Sequence, residues 1–264
     1  MGDLALRVLS AAGFVLLAPI LFVQARHVRR VTPRLPSANG PHEGYTAGSH
    51  PLRVLIVGES TAVGVGVTTH DAGLAGQTTR ALAEATGRPV CWRVLGRSGA
   101  SARMLVAEFI EPAAPIEADV VVIALGVNDT IRLSSVARWV DALEALLQCV
   151  RRSSPDATIV LSGVPPMQIF PAFPVPLRYV LGLRAHVLDR AAIRWAGGHA
   201  AVIHVPHPFA APADVAVMFC ADRFHPSPLG YSRWGAALAA AVSDILTGAA
   251  RRSTPPAGAL HTSC

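Results

Sequence analysis

Short runs of apolar residues alternate along most of this chain with longer stretches in which apolar positions recur at helical spacing. The run Arg53–Val57 is rich in β-branched residues and stops at Gly58, which is typical of a buried strand. Similar runs follow at 89–95, 119–125, 157–162 and 201–205, and the helix-like stretches lie at 74–85, 102–110, 136–151, 177–195 and 228–246. Five strands that alternate with helices predict an α/β fold with a parallel sheet covered by helices on both faces.

The beginning of the chain has one long apolar segment in place of alternating elements. Val8–Ala25 contains no charged residue, and as a helix it is about 27 Å long, close to the thickness of a bilayer core. Pro19 is compatible with such a helix, because kinks are tolerated in membranes. The pattern predicts an N-terminal hydrophobic helix over residues 1–30 that anchors the protein in a membrane. A buried helix of the folded domain is the alternative.

An arginine cluster follows the apolar segment, at positions 26, 29, 30 and 34. Because basic residues flanking a membrane helix tend to stay in the cytoplasm, the cluster favours an inner-membrane anchor with the main domain cytoplasmic. A secreted or periplasmic domain is the alternative. Residues 31–51, rich in Pro, Gly, Ser and His, are predicted to be a linker, residues 52–248 a single domain, and residues 249–264 a disordered tail.

Composition narrows the classes of function. The 264 residues are 52% hydrophobic and 15% charged, which excludes general disorder. All 23 basic residues counted as Lys or Arg are Arg, so Schiff-base chemistry and a phosphate-binding P-loop lysine are excluded. The net charge of +6 divides evenly between the first fifty residues and the rest, so the domain itself is nearly balanced and no nucleic-acid partner is expected. The four cysteines are widely scattered, which predicts buried thiols and no metal site.

Polar residues follow the carboxyl ends of the first three predicted strands, where functional groups collect in parallel sheets. Ser60 follows the first strand; a serine on a tight strand-to-helix turn exposes its Oγ and its backbone N–H, as a nucleophile requires. Gly96 and Gly99 follow the second strand and allow a ligand to approach the backbone closely. Asn128 follows the third strand, where its amide is placed to donate to a developing oxyanion.

A further polar pair precedes the last helix. Asp222 and His225 are three residues apart and are followed by Pro226, a spacing that lets a carboxylate orient an imidazole on a rigid turn. Taken alone, each of the four groups has an ordinary structural explanation: a helix-capping serine, a glycine turn, an Asx turn and a surface histidine. Their occurrence together at strand ends favours catalysis.

In these four blocks the chain resembles the SGNH, or GDSL-type, hydrolases. The family carries Gly-Asp-Ser, a Gly, Gly-x-Asn-Asp and Asp-x-x-His-Pro. The corresponding residues here are Gly58-Glu59-Ser60, Gly99, Gly126-Val127-Asn128-Asp129 and Asp222-Arg223-Phe224-His225-Pro226. The resemblance covers residues 52–247 and implies a three-layer α/β/α flavodoxin-like sandwich.

The resemblance also implies a role for each matching residue. Ser60 is expected to be the nucleophile, His225 the general base and Asp222 the residue that orients His225. The backbone N–H groups of Ser60 and Gly99 and the side-chain amide of Asn128 are expected to form the oxyanion hole.

One of the four blocks offers two candidate glycines, and another departs from the family pattern. Gly96 is a neighbouring candidate for the role given to Gly99. Glu59 stands where the family usually has Asp, which affects the geometry of the turn more than the catalytic residues themselves.

The predicted function is therefore hydrolysis of a carboxylic ester without metal or cofactor. The Pro-rich apolar loop Gly163–Leu177 is predicted to form a wall of an acyl pocket or to pack on the core, and with the N-terminal segment it favours lipid-like or other hydrophobic acyl esters. A carbohydrate O-acetyl esterase is the alternative, because SGNH-like enzymes include deacetylases.

Two other classes of function are weaker. A nucleotide-binding protein is suggested by glycines at positions 58, 64 and 66, but Thr69 interrupts the G-x-G-x-x-G spacing. A non-catalytic binding protein would be expected to lack a residue of the triad, and none is missing.

Overall fold

The computed structural model describes the backbone of residues 2–110, 116–209 and 215–253, and the side chains of residues 17–108, 116–209 and 217–246. Its centre is a six-stranded sheet in the order β1-β3-β2-β4-β5-β6. The strands are β1 (Glu43–Tyr45), β2 (Leu52–Gly58), β3 (Val90–Gly96), β4 (Val120–Ala124), β5 (Thr158–Ser162) and β6 (Val202–Val205). Strands β2 to β6 are parallel, as predicted, and β1 is an additional antiparallel strand beside β3.

Helices flank this sheet and connect its strands. They are α1 (Gly2–Val31), α2 (Leu74–Thr86), α3 (Ala102–Ile110), α4 (Val127–Ile131), α5 (Val136–Ser153), α6 (Leu177–Gly197), α7 (Val215–Met218) and α8 (Pro228–Ser253). Short 3₁₀ turns cover His70–Ala72 and Met167–Ile169.

Alternation of side chains along the buried strands produces the predicted three layers. In β2, Leu55 and Val57 belong to a core cluster shared with helices α3, α5 and α6. Val54 and Ile56 of the same strand belong to a second cluster shared with α2 and α8. Because successive side chains of a strand point to opposite faces, a continuous apolar run requires a helical layer on each side. The α/β/α sandwich predicted from the sequence is confirmed.

The sixth strand corrects the predicted count of five. It lies inside the segment predicted as a linker, where Gly44 pairs with Trp92 of β3. The same segment contacts the domain again when Ala38 donates its backbone N–H to the Val63 carbonyl at 3.1 Å. Strand β1 has three residues, and only the middle one is partly buried. Its sequence therefore shows no alternation of apolar and polar residues that would predict a strand.

The N-terminal helix exists, and its C-terminal part lies against the domain. Gln24 donates to the Val175 carbonyl at 2.7 Å and accepts from the Leu177 backbone N–H at 3.1 Å. Within the described part of the chain, no helix combines the length and the apolar content needed to cross a bilayer, so the predicted membrane anchor is not supported. At the other end, α8 extends to Ser253, and the remainder of the predicted tail lies outside the described residues.

Candidate active site

The turn after β2 places Ser60 at the carboxyl edge of the sheet. Gly58, the last residue of β2, packs so closely on β4 that an added Cβ would lie 2.5 Å from the Ala124 carbonyl oxygen. The chain then turns, and Val65 donates its backbone N–H to the Ser60 carbonyl at 3.0 Å. Ser60 is buried, with 7% of its surface exposed, so its hydroxyl is held in a pocket and not in bulk solvent.

The structure joins Ser60, His225 and Asp222 in one chain of hydrogen bonds. Ser60 Oγ lies 3.0 Å from His225 Nε2, and His225 Nδ1 lies 2.6 Å from Asp222 Oδ2. These distances are in the range expected for a nucleophile, its base and the group that orients the base. Ser60 and His225 are separated by 165 positions in the sequence, so only the fold brings them together.

The hydrogen-bond donors around Asp222 favour the ionised form of its carboxyl group. Its second oxygen, Oδ1, accepts the backbone N–H groups of Phe224 and His225, both at 3.0 Å. Burial raises the pKa of the Asp222 carboxyl, but the hydrogen bonds from the His225 ring and from these two N–H groups outweigh burial, so the pKa lies below its ordinary value. The ionised carboxylate can therefore hold the proton of His225 on Nδ1 and leave Nε2 free to accept one.

Asn128 lies in the first turn of α4, which Glu59 holds against the serine turn. Val127 and Asn128 donate their backbone N–H groups to the two oxygens of Glu59, each at 2.9 Å. Burial raises the pKa of Glu59 to about 8, although these two hydrogen bonds act to lower it. The Asn128 side chain donates to the Ala100 carbonyl at 3.1 Å, which places its amide beside the loop that contains Gly99.

The two candidate glycines occupy different places. Gly96 ends β3 opposite Gly58, and an added Cβ would lie 2.7 Å from the Gly58 carbonyl oxygen, so this glycine allows close strand packing. Gly99 lies in the following turn with φ +78° and with no atom within 4 Å of an added Cβ. The left-handed backbone explains why glycine is favoured at position 99, and the open space is compatible with the role assigned to it.

An apolar cavity of about 30 Å³ adjoins Ser60 over the ends of β4, β5 and β6. Its aromatic lining consists of Phe170, Phe209, Phe219, Phe224 and Trp234. The apolar loop Gly163–Leu177 contributes Gly163, Pro165 and Phe170 to the cavity wall, in agreement with its predicted position beside the site. The same loop also packs on the core, where Met167 is fully buried.

His207 also lines this cavity and was not singled out by the sequence. Its ring centroid lies 4.5 Å from those of Phe209 and Trp234. Burial lowers the pKa of His207 to about 3, so the ring stays neutral at physiological pH. Its position just after a predicted strand was the one feature of the sequence that could have indicated a role for His207. A single histidine in a loop rich in Pro is not enough to predict that it lines a pocket.

The glycines that suggested nucleotide binding have a packing role. Gly64 and Gly66 both have positive φ, and an added Cβ would lie 2.7 Å from Ala38 Cβ and 2.8 Å from Cys220 Sγ, respectively. Both positions face protein atoms, so their glycines are explained without a phosphate.

The three-layer fold holds Ser60, His225 and Asp222 in a chain of hydrogen bonds at the edge of its sheet, an arrangement typical of α/β serine hydrolases. Comparison with known families makes this more specific: residues 56–233 match the GDSL-like lipase/acylhydrolase family, and the chain belongs to it. A GDSL-like esterase of Mycobacterium tuberculosis is 31% identical over 254 residues, an alignment that covers 86% of this chain and 77% of the relative.

Solved structures agree on the fold. A lipase from a goat rumen metagenome superposes with a TM-score of 0.58 at 18% identity, covering 72% of this chain and 97% of the other. A family 2 carbohydrate esterase with a carbohydrate-binding domain, from Corynascus thermopiles, superposes with a TM-score of 0.59 at 20% identity, covering 76% and 68%.

Proposed function

We propose that this ester hydrolase acts through Ser60 as nucleophile, His225 as general base and Asp222 as the residue that orients His225. The observation that carries the proposal is the continuous pair of hydrogen bonds, 3.0 Å from Ser60 to His225 and 2.6 Å from His225 to Asp222. The low pKa of Asp222 supports it, because an ionised carboxylate stabilises the imidazolium that forms during the reaction.

The reaction proceeds through a serine ester. His225 Nε2 takes the proton of Ser60 Oγ, and Oγ attacks the carbonyl carbon of the ester. The developing oxyanion accepts hydrogen bonds from the backbone N–H groups of Ser60 and Gly99 and from the amide of Asn128. Loss of one such donor raises the barrier by about 3–4 kcal/mol. The protonated His225 gives its proton to the leaving alcohol, and a water activated by the same ring then releases the acid.

The cavity beside Ser60 favours a short hydrophobic acyl group. Its lining is mainly apolar and includes four Phe side chains and one Trp side chain, which disfavours a charged acid. Its volume of about 30 Å³ is far below the ~150 Å³ of a protein cavity that admits benzene. The shortest acyl groups therefore require the least rearrangement of the lining, whereas a long lipid chain requires the Phe side chains to move.

A carbohydrate O-acetyl ester is a second candidate substrate, favoured by the same small cavity because acetyl is the smallest common acyl group. The two candidates differ in the alcohol and not in the acyl group. Release of acetate from acetylated xylan at a rate comparable to that from p-nitrophenyl acetate would favour the carbohydrate ester.

Covalent labelling tests the proposed nucleophile directly. A fluorophosphonate probe phosphonylates an activated serine, so we expect one adduct per chain on the peptide that contains Ser60, mapped by mass spectrometry. Heat-unfolded protein is the control and should remain unlabelled. Absence of an adduct on the folded protein, or an adduct on another serine, would contradict the proposal.

The size of the cavity predicts a preference among acyl chain lengths. We expect kcat/KM for p-nitrophenyl esters to be highest with two to four acyl carbons and to fall by about 10-fold or more at eight, because each added methylene must displace packed aromatic atoms. Phe170, which lines the cavity, offers a matched variant: Phe170→Leu should raise the rate with longer esters relative to acetate. A rate that increases steadily up to eight carbons would contradict this substrate class.

A further inference from the structure

Two buried carboxylates connect the three chain segments that supply the proposed oxyanion donors. Glu59 is 3% exposed and immediately precedes Ser60, and Asp129 is 2% exposed and immediately follows Asn128. Each carboxylate therefore lies next to one donor residue and reaches the backbone of a different donor segment.

Glu59 connects the serine turn to α4. Its Oε1 accepts the Val127 N–H and its Oε2 accepts the Asn128 N–H, both at 2.9 Å. These are the first two N–H groups of the helix, which have no partner within it. Since both oxygens are used, the carboxyl plane fixes the distance and the orientation of the helix start relative to Ser60.

Asp129, in α4, connects this helix to the loop that contains Gly99. Its Oδ2 accepts the Ala102 N–H at 2.8 Å, and its Oδ1 accepts the Ser134 hydroxyl at 2.8 Å. The side-chain amide of Asn128 makes a second contact between α4 and this loop, because it donates to the Ala100 carbonyl at 3.1 Å. The serine turn, the start of α4 and the Gly99 loop are thus held by polar contacts as one unit.

We propose that Glu59 is a positioning residue of the reaction: by binding the first two N–H groups of α4, it holds the Asn128 amide at the distance from Ser60 that oxyanion stabilisation requires. The inference rests on the proposed function. Hydrogen-bond donors act on the transition state only when they are already aimed at the developing charge, and a misplacement of about 1 Å can reduce a rate about 100-fold. Glu59 itself has both oxygens occupied by backbone donors and acts through Asn128.

Substitution of Glu59 tests the proposal. Glu59→Gln keeps the shape of the side chain but replaces one acceptor oxygen by a donor NH₂, which opposes the N–H of Val127 or Asn128. Because the pKa of Glu59 is raised to about 8, the assay is run at pH 9, where its carboxyl is ionised. There we expect kcat for p-nitrophenyl acetate to fall about 10- to 100-fold, with KM within about 2-fold. Affinity for an alkylboronic acid, whose adduct with serine mimics the tetrahedral intermediate, should fall by a similar factor. Glu84→Gln, an exposed site on α2, is the matched control.

A second variant and a double-mutant cycle separate positioning from a merely structural role. Glu59→Asp keeps the carboxyl group but withdraws the oxygens by one methylene, so kcat and boronate affinity should fall together by about 3- to 10-fold. In an Asn128→Ala background the effect of Glu59→Gln should shrink to about 3-fold or less, because the group it positions is absent.

Three results would overturn the proposal: kcat and boronate affinity within about 2-fold of wild type in Glu59→Gln, a fall in kcat with unchanged boronate affinity, or an undiminished effect in the Asn128→Ala background. If Glu59→Gln does not fold, Glu59→Asp decides by the same criteria. Failure of the proposed nucleophile is seen separately, as missing fluorophosphonate labelling of wild-type Ser60.

Discussion

Ser60→Ala is expected to lower kcat/KM for p-nitrophenyl acetate by about 10⁴-fold or more. The variant removes the atom that forms the covalent intermediate, while the oxyanion donors and the cavity remain. Because Ser60 Oγ bonds to His225 among the described residues and alanine fits in the same space, the fold should be retained. Steady-state kinetics with a short-chain ester measures the loss, and circular dichroism checks the fold.

The matched control is Ser232→Ala, since Ser232 is exposed on α8. Its kcat/KM and fluorophosphonate labelling should equal those of the wild type, while Ser60→Ala should show neither activity nor labelling. Activity of Ser60→Ala within 10-fold of wild type would exclude this serine as the nucleophile.

Asp222→Asn is expected to lower kcat by about 10⁴-fold. The asparagine oxygen can still accept the backbone N–H groups that Asp222 Oδ1 accepts, but its NH₂ would then face His225 Nδ1 as a donor. The ring would have to carry its proton on Nε2, where it could no longer take the proton of Ser60. Asp141→Asn, exposed on α5, is the control and should retain wild-type kcat. Near-normal activity of Asp222→Asn would remove Asp222 from the triad.

The same variant gives a pH signature in stability. The pKa of Asp222 is lowered in the folded protein, so the ionised carboxylate stabilises the fold above the unfolded-state pKa of about 3.9, and this contribution is lost as pH falls through the folded-state value. The free energy of unfolding of wild type relative to Asp222→Asn should therefore decrease on going from pH 6 to pH 2. Urea titrations at several pH values measure it, and a difference independent of pH would contradict the assigned ionisation.

Regular elements with a strong apolar pattern were predictable. The strand that contains Val54–Val57 was evident because parallel strands buried on both faces carry nearly continuous β-branched runs. The strand β1 was not, because an edge strand of three residues is defined by backbone pairing with β3 and not by burial of its side chains. The apolar N-terminal segment was recognised as a helix, but apolar content alone did not show that Gln24 contacts the start of α6.

The candidate site, like the fold, was predictable only in part from the sequence. Ser60, His225 and Asp222 stand in recognisable motifs, each at a place where the predicted topology collects functional groups. The sequence presented Glu59 as a departure from the family pattern, whereas the structure shows it bound to two N–H groups of α4. His207 carried no motif, and its place in the cavity became apparent only from its packing against Trp234.

The sequence by itself determined the α/β class, the parallel direction of the main strands and the residues of the candidate triad, because periodicity and short motifs are local properties of a chain. The tertiary structure alone decided the distances among those residues, the size of the cavity beside Ser60 and the contacts of Glu59. These depend on contacts between segments far apart in the sequence, and one methylene more or less in a side chain changes which backbone groups it can reach.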